Sequence, residues 1–435
     1  MTDSEKIMAA GCAAGAAAAV LPAAYGFIKA RAKKPICDAD LLRAENGGFI
    51  SACGESVELR GINLNDDLFF YQKEDLPVPS RGYDVFSALE SRFGNYGARE
   101  IIKKYEENFI TPADLKYISK LGANCVRIPL RYNYLFKEEN CKADIDFDRL
   151  DLLVSKCRKA GLYVIFDLHS APGFQNTSSS CGKDSESVLF ESTKAGFEAR
   201  NAVIRLWTQV AAHFKDEPAV AAYDLLNRPL NRFAEWESKL DALHKFYQRI
   251  YKAIRTVDEN HIIIFEAVGA PETLPAAEKC AGKNIAFGLY SHFHTTYETN
   301  SLVRGVRELR SGGIPFIVCK IRSEENLDYS LTALNDAGIS WLFGDFKGSG
   351  NLCDFLFSAN LPSADLTYDS YEAIGEKWSK PLVTKNFIEN KDTAALLRQA
   401  FRYGAVSAEI KPEKKKMKFK VKFGANIVAG MNKTV

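Results

Sequence analysis

The chain has 435 residues, with 57 Lys and Arg against 55 Asp and Glu, for a formal net charge of +2. That balance gives no global case for a nucleic-acid partner, and 46% hydrophobic with 26% charged residues is a globular composition rather than a disordered one. The length admits one large barrel or two to three average domains; ten cysteines without a Cys-x-x-Cys pair argue against a zinc centre, and no metal or cofactor is expected.

In chain order, residues 7–28 (IMAAGCAAGAAAAVLPAAYGFI) carry no charge and are long enough to span a bilayer, although Pro22 interrupts them. Asp3, Glu5 and Lys6 precede the run, and Lys29, Arg31, Lys33 and Lys34 follow it. The positive-inside rule then places the main domain in the cytoplasm. Gly11 and Gly15 form a small-xxx-small pair of the kind that packs membrane helices. Residues 1–35 are therefore read as a membrane anchor. A signal peptide, giving a secreted or cell-surface protein, and a helix packed on the protein are the alternatives.

From Gly48 the pattern changes. Phe49 to Ala52 and Val57 to Arg60, joined by Cys-Gly-Glu-Ser, read as a hairpin. Apolar runs then alternate with amphipathic stretches, with strands at 58–63, 123–128, 162–168, 219–226, 261–267, 284–291, 315–321 and 338–343. Thr111-Pro112-Ala113-Asp114 is an N-cap with proline at the first helical position, opening a helix to Leu121. Cys125, Cys157 and Cys319 fall in apolar segments, where reduced cysteines act as small buried hydrophobes. Eight βα repeats without a break indicate an α/β fold, a single (β/α)8 TIM barrel over 36–385.

Beyond it, 386–435 hold a helix-like stretch (394–403, after an earlier one at 368–378) and a basic extension. In 411–423, Lys418, Lys420 and Lys422 alternate with Met417, Phe419, Val421 and Phe423. That pattern suits a solvated edge strand or a contact with anionic lipid.

The stretch Ala219 to Pro229, AVAAYDLLNRP, reads as a buried parallel strand whose end points Asn227 and Arg228 at the mouth of such a barrel. It resembles the fourth strand of glycoside hydrolase family 5, the cellulase and exo-β-1,3-glucanase family, where it ends Asn-Glu-Pro. The likeness covers roughly residues 48–380. Asn-Phe-Ile-Thr at 108–111 and Gly-Ala-Asn-Cys-Val-Arg-Ile-Pro at 122–129 look like the second βα unit. Asp-Leu-His-Ser-Ala-Pro-Gly-Phe-Gln-Asn at 167–176 looks like the third-strand loop, and Ile-Ser-Trp at 339–341 like the eighth strand.

The resemblance implies roles for five retained positions. Arg127 braces the nucleophile, and His169 and Asn227 contact the sugar. His292 ends strand six, and Trp341 is the platform on which a sugar ring stacks. Three positions depart: His294 replaces a Tyr, Arg228 replaces the acid/base Glu, and Lys320 replaces the nucleophile Glu. A retaining glycosidase needs one carboxyl to attack and another to protonate the leaving oxygen, and neither Arg nor Lys does this. Transition-state charge about 5 Å from a unit charge feels roughly 3 kcal/mol at an effective dielectric of 20. Reversing one such charge therefore costs roughly 6 to 7 kcal/mol, nearly five decades of rate.

The expected function is thus a non-hydrolytic family member. Its Arg127, Arg228, Lys320, His169, His292 and His294 form a cationic pocket for a saccharide or small anion, unless neighbouring carboxylates neutralise the cations. Two alternatives stand beside it. One is an active β-glucan hydrolase using a substitute carboxylate pair from among Glu266, Asp345, Glu324 and Glu325. The other is a membrane-attached scaffold touching lipid through 7–34 and 411–423.

Overall fold

Runs of Val, Ile, Leu and Phe too apolar for a solvated sheet form strands covered on both faces. In the computed structural model, the described residues are 33–64, 85–136, 144–177, 181, 187–232, 236–280, 282–322, 325–348, 355–357 and 364–403. Among them eight parallel strands close a barrel: β1 (Arg60–Asn63), β2 (Cys125–Arg131), β3 (Tyr163–Ser170), β4 (Val220–Asp224), β5 (Ile262–Glu266), β6 (Ile285–His292), β7 (Phe316–Arg322) and β8 (Ser340–Asp345). Each strand pairs with the next, and β8 closes on β1 with Leu342 opposite Gly61. A side chain at Gly61 would put its Cβ 2.1 Å from the Cys125 carbonyl oxygen, so only glycine lets β1 and β2 approach. Every residue of β3, β4, β5 and β8 is buried. The strands expected from the sequence are all present, shifted by at most three residues at their ends.

The outer layer is helical: α1 (Val85–Phe109), α2 (Pro112–Leu121), α3 (Asp148–Ala160), α4 (Lys194–Phe214), α5 (Trp236–Ile254), α6 (Thr296–Arg310), α7 (Leu327–Asp336) and α8 (Lys391–Phe401). As the sequence predicts, Thr111 caps α2 by accepting from the Asp114 N–H, and the Asp114 carboxylate accepts in return from the Thr111 N–H at 2.8 Å. Beneath the barrel the expected hairpin pairs Gly48–Ser51 with Ser56–Val57, and gains a third strand, Leu42–Glu45, that the polar LRAE sequence did not advertise. Helix α8 continues the outer layer past residue 385: Asn335 of α7 donates its side-chain amide to the Ala400 carbonyl. Cys125, Cys157 and Cys319 are fully buried free thiols. Residues 7–28 and 411–423 lie outside the described residues, and among these no helix is long and apolar enough to cross a membrane.

One buried charge ties the outer layer together. The Lys347 ammonium is fully buried, donates to the Phe109 carbonyl, and lies 3.4 Å from Asp114 Oδ2. Rings of Phe387 at 5.1 Å, Phe109 at 5.3 Å and Phe346 at 5.9 Å surround it. Burial lowers its pKa to about 8, although Asp114 opposes the shift. The unfolded chain, with its ordinary lysine pKa of 10.5, holds a proton that the folded chain has released between pH 8 and 10.5, so this group adds stability as pH rises through that window. Lys347→Met removes the effect. Denaturant titrations of both proteins should show wild type gaining about 2 kcal/mol on the variant between pH 8 and about 9.5; a pH-independent difference contradicts the assignment.

Candidate active site

Strand ends at the C-terminal side of the barrel bring the site together in two layers. The lower layer is built on Arg127, from β2, whose guanidinium is 1% exposed. It donates through Nη2 to Asp224 Oδ2 at 2.7 Å and Glu266 Oε1 at 2.8 Å, and lies 3.0 Å from Asp167 Oδ1. Nε donates to Asp224 as well, and Asn63 and Asn227 complete the shell. Burial works against the Arg127 charge, but the three carboxylates outweigh it and raise its pKa. Burial also raises Asp224 and, strongly, Glu266, where the Asp224 charge adds to the effect.

His169 joins this layer through Nδ1, 2.7 Å from Asp167 Oδ2, while its Nε2 faces the Asn227 amide nitrogen at 3.2 Å. With Asn227 donating, the ring proton sits on Nδ1 and goes to Asp167. Gln175, from the loop after β3, donates to the carbonyls of both His169 and Asn227, locking that loop to the end of β4.

The upper layer begins at Arg228. Its φ of +47° is left-handed, a conformation a non-glycine residue adopts only when held. Both peptide groups are held: its N–H donates to Glu266 Oε2 at 2.7 Å, and its carbonyl accepts from Asn176 at 2.6 Å. The half-buried side chain then places its guanidinium 4.9 Å from the centre of the Tyr290 ring. Lys320, at the end of β7, sits 5.8 Å from the same ring and donates to Asp345 Oδ1 at 2.8 Å. Arg322 reaches the other Asp345 oxygen at 3.4 Å. At the rim His292 bonds the Tyr290 hydroxyl through Nε2 at 2.8 Å and lies parallel to the His294 ring at 5.8 Å. Partial burial, then the charges of Arg322, Arg228, His294 and Lys320, lower its pKa to about 4, leaving it neutral near pH 7.

Two expectations need correction. The single cationic pocket is divided, because Arg127 and His169 are sealed below with Asp167, Asp224 and Glu266. Only Arg228, His292 and His294 reach the mouth, together with Arg322, while Lys320, 1% exposed, is sealed against Asp345. Trp341 is no sugar platform. It lies near the start of β8, at the floor of the barrel, with no exposed surface; its ring stacks on Phe401 at 5.2 Å and its Nε1 donates to Asn335 at 2.9 Å. Its neighbour on β1 is Arg60, at that strand's first residue, so it cannot meet a ligand at the mouth.

The candidate substitute carboxylates, Glu266 and Asp345, are each 1% exposed and bonded to cations. Glu324 lies outside the described residues. Asp224, Glu266 and Cys319 bring ligand atoms within 4.8 Å of one another, as a metal site would. Arg127 already supplies the positive charge such donors need. Sequence reading missed Asp167, Asp224, Tyr290 and Arg322. The two aspartates carried a signal, since a charge inside a buried strand must have a partner. Tyr290 carried none, because nothing local marks an aromatic that two distant cations will flank.

A family model described as Cellulase (glycosyl hydrolase family 5) matches residues 86–351. The chain is 30% identical to a β-xylosidase of Phanerodontia chrysosporium over 229 residues, which are 52% of this chain and 46% of the xylosidase, so it spans less than half of that relative's length. A glucan 1,3-β-glucosidase of Pichia angusta is 25% identical over 318 residues, 68% of this chain and 69% of that protein. Among solved structures, an endogalactoceramidase superposes with a TM-score of 0.52 at 18% identity, covering 70% of this chain and 74% of its own. A β-mannanase from Thermomonospora fusca gives 0.50 at 13% identity, covering 74% and 90%. These structural likenesses speak to the fold; the sequence match over well more than half of the chain goes further, and by it the protein belongs to glycosyl hydrolase family 5, the cellulase family.

Proposed function

We propose that this family 5 barrel does not hydrolyse glycosides and uses its mouth to bind a saccharide or small anion, with acidic sugars preferred over neutral ones. One observation carries the reading. Arg228 and Lys320, which the resemblance matches to the family's acid/base and nucleophile, lie 4.9 Å and 5.8 Å from the Tyr290 ring centre, while the carboxylates beside them, Glu266 and Asp345, are as buried as Lys320 and bonded to cations. A positive charge on either side of a developing oxocarbenium ion raises its energy, whereas the same charges attract carboxylate, sulfate or phosphate groups. His292, neutral among these cations, offers a hydrogen bond without adding repulsion toward a neutral hydroxyl.

An active glycosidase with a rearranged pair has one observation in its favour. Asp224 and Glu266 lie within 4.8 Å, close to the spacing of about 5 Å that retaining enzymes use. Against it, the Arg127 guanidinium bonds both, and the Arg228 backbone closes over Glu266, so no sugar ring reaches between them.

Purified protein should not turn over aryl β-glucosides or soluble β-glucans above the uncatalysed background. The double variant Arg228→Glu/Lys320→Glu should gain hydrolysis of the same substrates. Turnover by wild type that disappears in Glu266→Gln would instead establish the rearranged pair.

For binding, thermal shift should separate uronic-acid and sugar-phosphate ligands from neutral cello-oligosaccharides. At a hundredfold excess over Kd a bound ligand adds about 2.7 kcal/mol of stability. The acidic set should raise Tm more than the neutral set, and Arg228→Ala should abolish the difference. No shift with either set points to a scaffold without a ligand.

A further inference from the structure

The segment after β3, residues 171–177, has its shape fixed by its own backbone and by α4. Gly173 has a φ of +75°, and a Cβ there would lie 2.6 Å from that of Ala199 in α4, so the turn needs glycine. The Gly173 carbonyl accepts from the N–H groups of Val188 at 2.8 Å and Leu189 at 3.2 Å, and the Phe174 carbonyl accepts from the Ser187 hydroxyl at 2.7 Å. Two side-chain amides follow in sequence, Gln175 at 1% exposed and Asn176 at 4%. The Gln175 side-chain oxygen accepts from the Ala171 N–H at 3.1 Å, which turns its amide nitrogen toward the His169 and Asn227 carbonyls. The Asn176 backbone carbonyl accepts from the buried Cys181 thiol at 2.9 Å. Its side-chain amide is thus a donor held in place from both sides along the chain, and it donates to the Arg228 carbonyl at 2.6 Å.

That carbonyl belongs to the peptide joining Arg228 to Pro229, which has no N–H. Its oxygen is therefore the one polar group by which that peptide can be held. Proline also steers the residue before it toward extended backbone, yet Arg228 has a φ of +47°. The preceding peptide is fixed by Glu266, which accepts from the Arg228 N–H at 2.7 Å. Asn176 fixes the following one. With both peptides pinned, the Cα–Cβ bond of Arg228 has one direction, and the guanidinium lies 4.9 Å from the Tyr290 ring centre. Released at its carbonyl, Arg228 returns to extended backbone and its side chain leaves that ring.

We infer that Asn176 is a positioning residue for the ligand site at the mouth, and that it sets the preference for acidic over neutral ligands by holding Arg228 in its left-handed turn. This role rests on the reading of the mouth as a binding site and names the residue that governs its selectivity. Asn176 acts through Arg228, because its amide is engaged with a peptide carbonyl and its side chain is buried. The adjacent amides divide the end of β4 between them, Gln175 securing Asn227 and Asn176 securing Arg228.

Asn176→Leu keeps the size and shape of the side chain and removes the donor without adding charge. In a crystal structure of that variant without ligand, residue 228 should have a negative φ and its guanidinium should have left Tyr290. In calorimetry at low salt, wild type should bind glucose 6-phosphate more tightly than glucose. Asn176→Leu should reduce that ratio about tenfold and change the affinity for glucose little. In an Arg228→Ala background the same substitution should leave the ratio unchanged, since Asn176 works through the guanidinium. A merely structural loss would weaken both sugars alike and persist in both backgrounds. If Asn176→Leu does not fold, Asn176→Ala takes its place in each measurement. A residue 228 still left-handed beside Tyr290 in the variant overturns the inference whatever the ligands do, and so does an equal fall of the ratio in both backgrounds. A displaced Arg228 in the variant, with no preference between the two sugars in wild type, overturns the binding reading and the selectivity with it.

Discussion

A guanidinium with almost no exposed surface holds this molecule's site together. Arg127 rises from β2 into the barrel and meets Asp167 from β3, Asp224 from β4 and Glu266 from β5. Removing that guanidinium leaves the three buried carboxylates without a counter-charge, a change that typically costs about 3 to 5 kcal/mol. The cluster therefore welds four consecutive strands at the height where their side chains turn toward the mouth. Small neighbours make the space: at Gly288, on β6, an added Cβ would lie 2.7 Å from Cys319 Sγ and 3.4 Å from the Glu266 side chain.

What lies above follows from that weld. Glu266, already committed to Arg127 with one oxygen, uses the other to hold the Arg228 peptide N–H in a left-handed turn. The turn sends the Arg228 side chain over Tyr290, where Lys320 arrives from the opposite side of the barrel. Asp345 braces Lys320 and Arg322 from β8. The negative charge near the mouth is thus consumed in positioning positive groups. The acids Glu266 and Asp345 serve as supports for the cations around Tyr290.

The opposite face is organised by different forces. Apolar stacking of Trp341 on Phe401, a lysine docked on helix-end carbonyls, and close packing at Gly122 and Gly161 hold residues 33–34 and 401–402 there. The molecule is polar in its layout, with a charged mouth at one end and an apolar ring stack at the other.

Most of the barrel was legible before any coordinates, because strands buried on both faces must be written in Val, Ile, Leu and Phe, and crossover helices must carry a one-sided apolar stripe. The helix start at Thr111 was an equally local matter, readable from residue type and order. Tertiary structure alone decided which charges neutralise one another. Arg127, Asp167, Asp224 and Glu266 meet only because barrel closure sets neighbouring strands in register, and no spacing along the chain encodes that meeting. The same reason explains Trp341. Its motif marked it for the mouth, but it stands near the start of β8, at the floor, and there its ring finds Phe401 rather than a sugar.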